Sequence, residues 1–222
     1  MYISFLENRL KKLNEKDKKP YDFECPVWVN DFLKDIDLII GEWNAYRLKN
    51  RFGMAIDELS ENQKHLNPDK KWRSILLYGY SYVNHKEIDE FPVLKKLIKK
   101  HQRSLNMVLF STTEAGKHIL PHRGYNYGVL RLQIGIDIEH PNDCCLRIED
   151  KEVFLKEKET FIFDDTVSHE MSNSSQSHRT VLLVDYFRPY PWIYDKINRY
   201  LIKKKAKSVY VQSVVKKINE PC

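Results

Sequence analysis

From residue 105 onward the chain breaks into short apolar runs, at 105–110, 128–138, 144–148, 153–155, 160–163 and 180–187, separated by polar turns. This texture constrains the fold more than any other feature, because many short strands leave unpaired edges unless they close into a sandwich or barrel. The intervening segments carry turn chemistry, as in Ala115-Gly116, His140-Pro141-Asn142-Asp143 and Glu149-Asp150-Lys151. The first hundred residues read differently. Phe5, Leu6, Leu10 and Leu13 recur at helical spacing ahead of a charged break over 15–20. A second helix is expected over 27–52, with Trp28, Phe32, Ile36, Ile39, Ile40, Trp43 and Tyr46 on its buried face and Gly53 as its stop. Residues 72–83 read as a strand, and 91–101 as a helix with Pro92 near its start. Beyond Pro189, the pattern of Trp192, Ile193, Ile197, Tyr200 and Leu201 predicts one last amphipathic helix. The expected fold is mainly β: a double-stranded β-helix of the jelly-roll or cupin type, with N-terminal and C-terminal flanking helices.

A chain of 222 residues can bury a full core as one domain, and no linker divides it. The expected organisation is a single domain over 1–222, comprising a helical region 1–71, a jelly roll 72–189 and a basic helical tail 190–222. With 42% hydrophobic and 31% charged residues and no apolar run approaching a membrane span, the chain reads as soluble and globular. The N-terminal apolar residues are interrupted by charge too early for a secretory signal, so a cytoplasmic location is expected. Cys144 and Cys145 are adjacent while Cys25 and Cys222 lie near the ends, a spacing that supports neither a disulfide framework nor a zinc site. Charge is uneven. From Arg188 to Cys222 nine Lys or Arg face Asp195 and Glu220, a net +7, whereas the remainder sums to −1. Two readings of this excess stay open, a solvated helical face or a peripheral contact of 188–222 with an anionic membrane or other acidic partner. No nucleic-acid partner is expected.

Two histidines stand in unlike surroundings, Pro-His-Arg-Gly at 121–124 and Phe-Asp-Asp-Thr-Val-Ser-His-Glu at 163–170, with Arg179 ten residues after the second. In a jelly roll, His122 ahead of one strand and His169 after another can meet at one barrel mouth. Two imidazoles and a downstream arginine are what a metal and a carboxylate held side by side require, as in an iron oxygenase using 2-oxoglutarate. The usual facial triad adds Asp or Glu two residues after the first histidine, and that position is Gly124. A zinc reading of His118 with His122 fails on sequence, because the segment is not helical and lacks a metalloprotease glutamate. Asp164 and Asp165 read as structural carboxylates bonding backbone N–H groups, with pairing to Arg179 as the bland alternative. Tyr78 and Trp72 read as core residues.

Ser111, Gly116, Pro-His-x-Gly at 121–124, Leu-Arg-Leu at 130–132, Ile-Phe-Asp-Asp at 162–165, His169-Glu170, Arg179 and Val184-Asp185 together resemble the aspartyl/asparaginyl β-hydroxylases, over roughly residues 72–189. The resemblance implies Fe(II) held by His122 and His169 with water where Gly124 replaces the carboxylate. It also implies 2-oxoglutarate anchored by Arg179 and Ser111, with O2 as the oxidant. Gln133 stands where the family has a histidine beside the cosubstrate, and would support its metal-binding end. Arg131 would face a substrate or cosubstrate carboxylate. Its usual arginine partner is replaced by Val129. Arg188-Pro189 and the basic segment that follows are similar to the ending of the lipid A 2-hydroxylases, a related branch acting on acyl chains. The leading expectation is an Fe(II)- and 2-oxoglutarate-dependent dioxygenase that hydroxylates an unactivated C–H bond, with a protein Asp or Asn side chain as partner. The alternatives are a lipid acyl chain hydroxylated at the membrane surface, and a jelly-roll binding protein without turnover. No side chain is assigned as a general base.

Overall fold

Antiparallel pairing nests the strands of the second half around one another. A computed structural model describes residues 2–17, 19–49 and 52–219. Its strands are β1 (Met54–Ala55), β2 (Trp72–Gly79), β3 (Tyr82–Val83), β4 (Leu105–Thr113), β5 (His118–His122), β6 (Val129–Ile138), β7 (Cys144–Ile148), β8 (Lys151–Val153), β9 (Thr160–Phe163), β10 (His169–Asn173) and β11 (Arg179–Phe187). From β4 onward the first strand pairs with the last, β4 with β11, and the pairing continues inward as β5 with β10, β6 with β9 and β7 with β8. That nesting is the winding of a jelly roll. It yields a larger sheet ordered β1-β2-β4-β11-β6-β9, with β3 on β2, and a smaller sheet ordered β5-β10-β7-β8.

The larger sheet is buried on both faces, which is why its strands read as nearly continuous apolar runs. On its outer face Ile75, Val108, Phe110, Leu132, Leu182 and Val184 pack against two helices, α3 (Ile36–Arg47) and α6 (Pro92–His101). Trp43, fully buried, lies 4.8 Å from the Phe110 ring and donates its indole N–H to Asp137. The helix expected over 27–52 is two helices, because the chain turns at Asp35 between α2 (Val29–Lys34) and α3. The strand expected over 72–83 is likewise a hairpin, with Tyr80 and Ser81 both at positive φ between β2 and β3. On the inner face, alternate residues of β4, β6 and β11 point at the smaller sheet, and these are the positions that carry the polar side chains.

The segment after Pro189 is no free tail. It forms α7 (Trp192–Ala206) and α8 (Val209–Asn219), two helices where one was expected. Leu201 of α7 buries against Leu6 and Leu10 of α1 (Tyr2–Asn14). Asn198 donates to the Gly128 carbonyl at 2.7 Å, so close that a Cβ on Gly128 would lie 1.8 Å from the Asn198 Oδ1. Ile218 of α8 joins the core cluster between the sheets, alongside Ile56 and Leu59 of the short helix α4 (Ile56–Leu59). No helix among the described residues is long and apolar enough to cross a membrane. Cys25, Cys144 and Cys145 are free thiols, and Cys222 lies outside the described residues.

Leu201→Ala is expected to lower the unfolding free energy by about 2–5 kcal/mol, the range for a buried Leu→Ala change. Urea denaturation measures this, and an unchanged midpoint would show that α7 does not contribute to the core.

Candidate active site

His122 closes β5 and His169 opens β10, and the two are directly paired in the antiparallel register. Their ring centroids lie 4.2 Å apart. Each imidazole is oriented the same way: Nδ1 of His122 lies 2.9 Å from the Leu120 carbonyl, and Nδ1 of His169 lies 3.0 Å from that of Val167. A carbonyl can only accept, so Nδ1 carries the hydrogen in both rings and Nε2 is left with a free lone pair. Trp72 and Phe163 flank the pair, with ring centroids 6.0 Å from His122 and 5.2 Å from His169. Burial pushes both imidazoles down to about 4; the proximity of His169 adds to the effect on His122. Two neutral imidazoles with backbone-fixed tautomers suit a divalent first-row metal.

Among the described residues no group of three or more His, Cys, Asp or Glu is gathered as a metal cage. The carboxylate nearest the pair belongs to Asp165, with Oδ1 3.4 Å from His169 Nε2. Gly124 explains itself here. A Cβ at that position would lie 1.6 Å from Asp165 Oδ2, and the Gly124 N–H donates to the Asp165 carbonyl at 2.7 Å. The space a side chain at 124 would need is filled by Asp165.

Asp164 and Asp165 part company. Asp164 accepts from the Thr166 N–H and hydroxyl at 2.9 and 2.7 Å and pairs with Arg188 at 2.7 Å, the structural role expected of both. Asp165 instead faces His169 and pairs with Arg131. Arg131 also grips both oxygens of Asp185, at 2.8 and 3.0 Å. Arg131, expected to face a substrate or cosubstrate carboxylate, has its guanidinium paired with two carboxylates of its own chain. Asp185 went unassigned in the sequence, although a lone acid in the apolar run of β11 was a signal for it.

Arg179 is the opposite case. It is buried, its Nη2 donates to Gln133 Oε1 at 3.0 Å, and its Nε has no protein partner. The bland pairing with Asp164 or Asp165 does not occur. Burial pulls its pKa down to about 10, so the group remains a cation at neutral pH. A buried guanidinium without a carboxylate is costly unless an anion from outside completes it. Ser111 sits on β4 opposite Val181 of β11, two residues along from Arg179. Its hydroxyl accepts from Trp72 Nε1 at 3.0 Å. Trp72, expected in the core, thus also holds a site residue, whereas Tyr78 is a core residue as expected. His118 lies at the far end of β5, paired with Glu170 at 2.8 Å, roughly 13 Å along an extended strand from His122.

A cavity of about 560 Å³ opens beside this cluster. His122, Ser111, Arg131, Asp165 and Asp185 form its polar floor. Much of its wall is apolar, with Leu59, Leu66, Leu76 and Leu109 and, from α8, Val211, Val214 and Ile218, and Asn62, Gln63 and His65 lie among them. Tyr80, Tyr82, Tyr125 and Tyr210 also line it. The hydroxyls of Tyr80 and Tyr210 meet that of Tyr125, and Tyr210 donates to Ser60 Oγ at 2.7 Å. Burial pushes Tyr80 up to about 12 and raises Tyr125 as well, so both stay neutral donors. None of the α8 residues was assigned to the site from sequence, since nothing in a basic C-terminal segment signals where it folds back.

A model of the family described as aspartyl/asparaginyl beta-hydroxylase matches residues 35–189. The chain belongs to that family. The match begins well before residue 72, where the resemblance carried by individual motifs starts. An ornithine lipid ester-linked acyl 2-hydroxylase of Rhizobium tropici is 30% identical over 170 residues, 76% of this chain and 60% of that protein. The aspartyl/asparaginyl beta-hydroxylase of Mus musculus is 25% identical over 122 residues, 53% of this chain. The chain spans 60% of the length of the first and 16% of the second. Among solved structures, the Cupin_2 domain of an XRE family transcriptional regulator from Enterobacter cloacae aligns with 54% of this chain and 99% of its own. Its TM-score is 0.39 at 11% identity.

The depressed histidines give a pH signature. Below about 6.5 the unfolded chain takes up protons that the folded imidazoles refuse until about 4, so stability present above 6.5 is lost as pH falls through that window. Unfolding free energies measured across the window are expected to fall with acid in the wild type and to fall less steeply in His169→Asn.

Proposed function

We propose that the protein is an Fe(II)- and 2-oxoglutarate-dependent hydroxylase whose substrate is an acyl chain. The observation that carries this reading is the apolar cavity beside the His122–His169 pair. Bound iron, with O2 and 2-oxoglutarate, supplies the oxidising power that converts a C–H bond to C–OH while 2-oxoglutarate becomes succinate and CO2. His122 and His169 hold the metal through Nε2. Arg179, with its unpartnered Nε, receives the distal carboxylate of the cosubstrate. Gln133 keeps that guanidinium in place, and Ser111 offers a hydroxyl on the neighbouring strand.

The chain's remaining task is to place one C–H bond and keep water away from it. Leu59, Leu66, Val211 and Val214 take the hydrocarbon, each buried CH2 contributing about 0.8 kcal/mol. The neutral hydroxyls of Tyr80 and Tyr125 line the same cavity and can donate to an ester or amide carbonyl. An Asp or Asn side chain finds less support. Arg131 is engaged by Asp165 and Asp185, and Val129 replaces its usual arginine partner, which leaves a substrate carboxylate the exposed Arg123 at the cavity lining. The Rhizobium tropici relative bears the name of an acyl 2-hydroxylase, which accords with the hydrocarbon lining.

With Fe(II), 2-oxoglutarate and an ester-linked acyl lipid, the purified protein is expected to form succinate together with a lipid carrying one added oxygen, read by mass spectrometry. Turnover of an Asp- or Asn-containing peptide and none of the lipid would sink the acyl reading. Val214→Trp is expected to slow turnover of long chains about tenfold, as for two CH2 groups displaced at about 0.8 kcal/mol each, with cosubstrate binding unchanged. Arg179→Gln is expected to weaken 2-oxoglutarate binding by roughly a hundredfold or more in calorimetry, in line with the 2–5 kcal/mol lost when one partner of a buried charge pair is removed.

A further inference from the structure

Helix α7 turns an unusual face to solvent. Trp192, Ile193 and Tyr200 are 71%, 57% and 43% exposed. On a 3.6-residue helix they fall within about 120° of one another, together with Lys196, Lys203, Lys204 and Lys207. The opposite face carries Asn198, Leu201 and Ile202, all buried. The lysines and aromatics are interleaved: Lys196 Nζ lies 3.8 Å from the Trp192 ring centre, and Lys204 Nζ lies 5.6 Å from that of Tyr200. The acids nearby are spent off the stripe, with Glu7 on Lys205 and Asp195 on Arg199. Among the described residues none of the four stripe lysines has an ion pair. Next to α7, α1 exposes Phe5 with the Arg9 guanidinium over its ring.

The cavity adjoins the other side of the helix. Lys205 donates to the carbonyl of Tyr125, which lines the cavity while 55% of its surface remains exposed. Val209, 88% exposed, opens α8 immediately before Tyr210 and Val211, two further lining residues. Exposed Trp, Tyr and Ile set among unpaired lysines form the pattern of a helix lying in a headgroup layer, with rings at the acyl boundary and ammonium groups on phosphates. A merely solvated face has no need of the three large apolar side chains.

We propose that the outer stripe of α7 docks the protein on an anionic lipid bilayer. The partner is the lipid surface itself, selected by charge complementarity to a C-terminal segment of net +7 on a body of net −1. This rests on the acyl-chain reading only for its purpose, which would be to hold the enzyme at the surface where acyl lipids are concentrated. The docking itself is independent of turnover.

The test is co-sedimentation of the full chain, at about 0.15 M salt where exposed charges are screened beyond about 8 Å, with vesicles of phosphatidylcholine alone or mixed with phosphatidylglycerol. Binding is expected only to the mixed vesicles. Replacing Lys203, Lys204 and Lys207 together by Gln is expected to reduce partitioning about a hundredfold, roughly fivefold for each lysine near the surface. Because these side chains are exposed, folding is checked by circular dichroism, and Trp192→Ala serves as the second variant. Brominated lipids should quench a Trp192 signal that this variant lacks. Equal binding to both vesicle types, wild-type partitioning of the triple variant, or binding to duplex DNA in place of vesicles would overturn the proposal. Turnover of a short, water-dispersed acyl ester by the same variants reports on the acyl reading separately: wild-type rates there with lost vesicle binding support docking, whereas no turnover by any form with vesicle binding intact defeats only the substrate assignment.

Discussion

The pairing of His122 with His169 across β5 and β10 is the contact on which the rest of the site depends. β10 lies between β5 and β7, so its register is held from both sides, and a slip of one residue would turn the His169 ring to the opposite face. The backbone carbonyls of Leu120 and Val167 then fix both tautomers, each two residues upstream of its histidine. Burial between Trp72 and Phe163 keeps the rings neutral. The pairing and the tautomers follow from the smaller sheet, whereas the rings that bury the imidazoles come from β2 and β9 of the larger one.

Two buried arginines on the larger sheet show how the barrel separates structural from receptive charge. Arg131 on β6 is held between Asp165 and Asp185, and through Asp165 it touches the segment leading to His169. Removing it would strand two carboxylates beside the histidines. Arg179 on β11 has one amide oxygen for company and an unpartnered Nε. The side chains are alike; Arg179 is the more deeply buried, and their partners differ. That difference separates a group that organises the floor of the cavity from one that awaits an anion.

The helical ends are integral to the same design. α1 and α7 seal one another through Leu6, Leu10 and Leu201, while α8 returns over the inner face and supplies a wall of the cavity. The charge gathered in this C-terminal region therefore sits on elements that also shape the cavity. The proposed membrane contact and the proposed acyl substrate would be two uses of one pair of helices, apolar on the inside and lysine-rich with scattered aromatics on the outside.

Much of this was legible in the chain itself. The runs at 144–148 and 160–163 mark strands to the residue, because polar turns bound them on both sides. His122, His169, Gly124 and Arg179 stood out by residue type and spacing. β5 and β10 did not, since His-Ile-Leu-Pro-His and His-Glu-Met-Ser-Asn lack the apolar alternation of a strand. Their polarity comes from serving the site and the rim, and they are strands only because β7 and each other's backbone make them so. Likewise, local periodicity predicted an amphipathic C-terminal helix, but where its apolar face would be buried is a non-local matter. The sequence by itself determined the strand-rich wrap, the pair of ligand-type histidines and the charge asymmetry, because these are properties of composition and short-range pattern. Only the tertiary structure decided that Arg131 is spoken for and Arg179 is not, that Asp165 fills the space Gly124 leaves, and that α8 lines the cavity beside the histidines. Each of those depends on which groups, far apart in the chain, are brought out of water together.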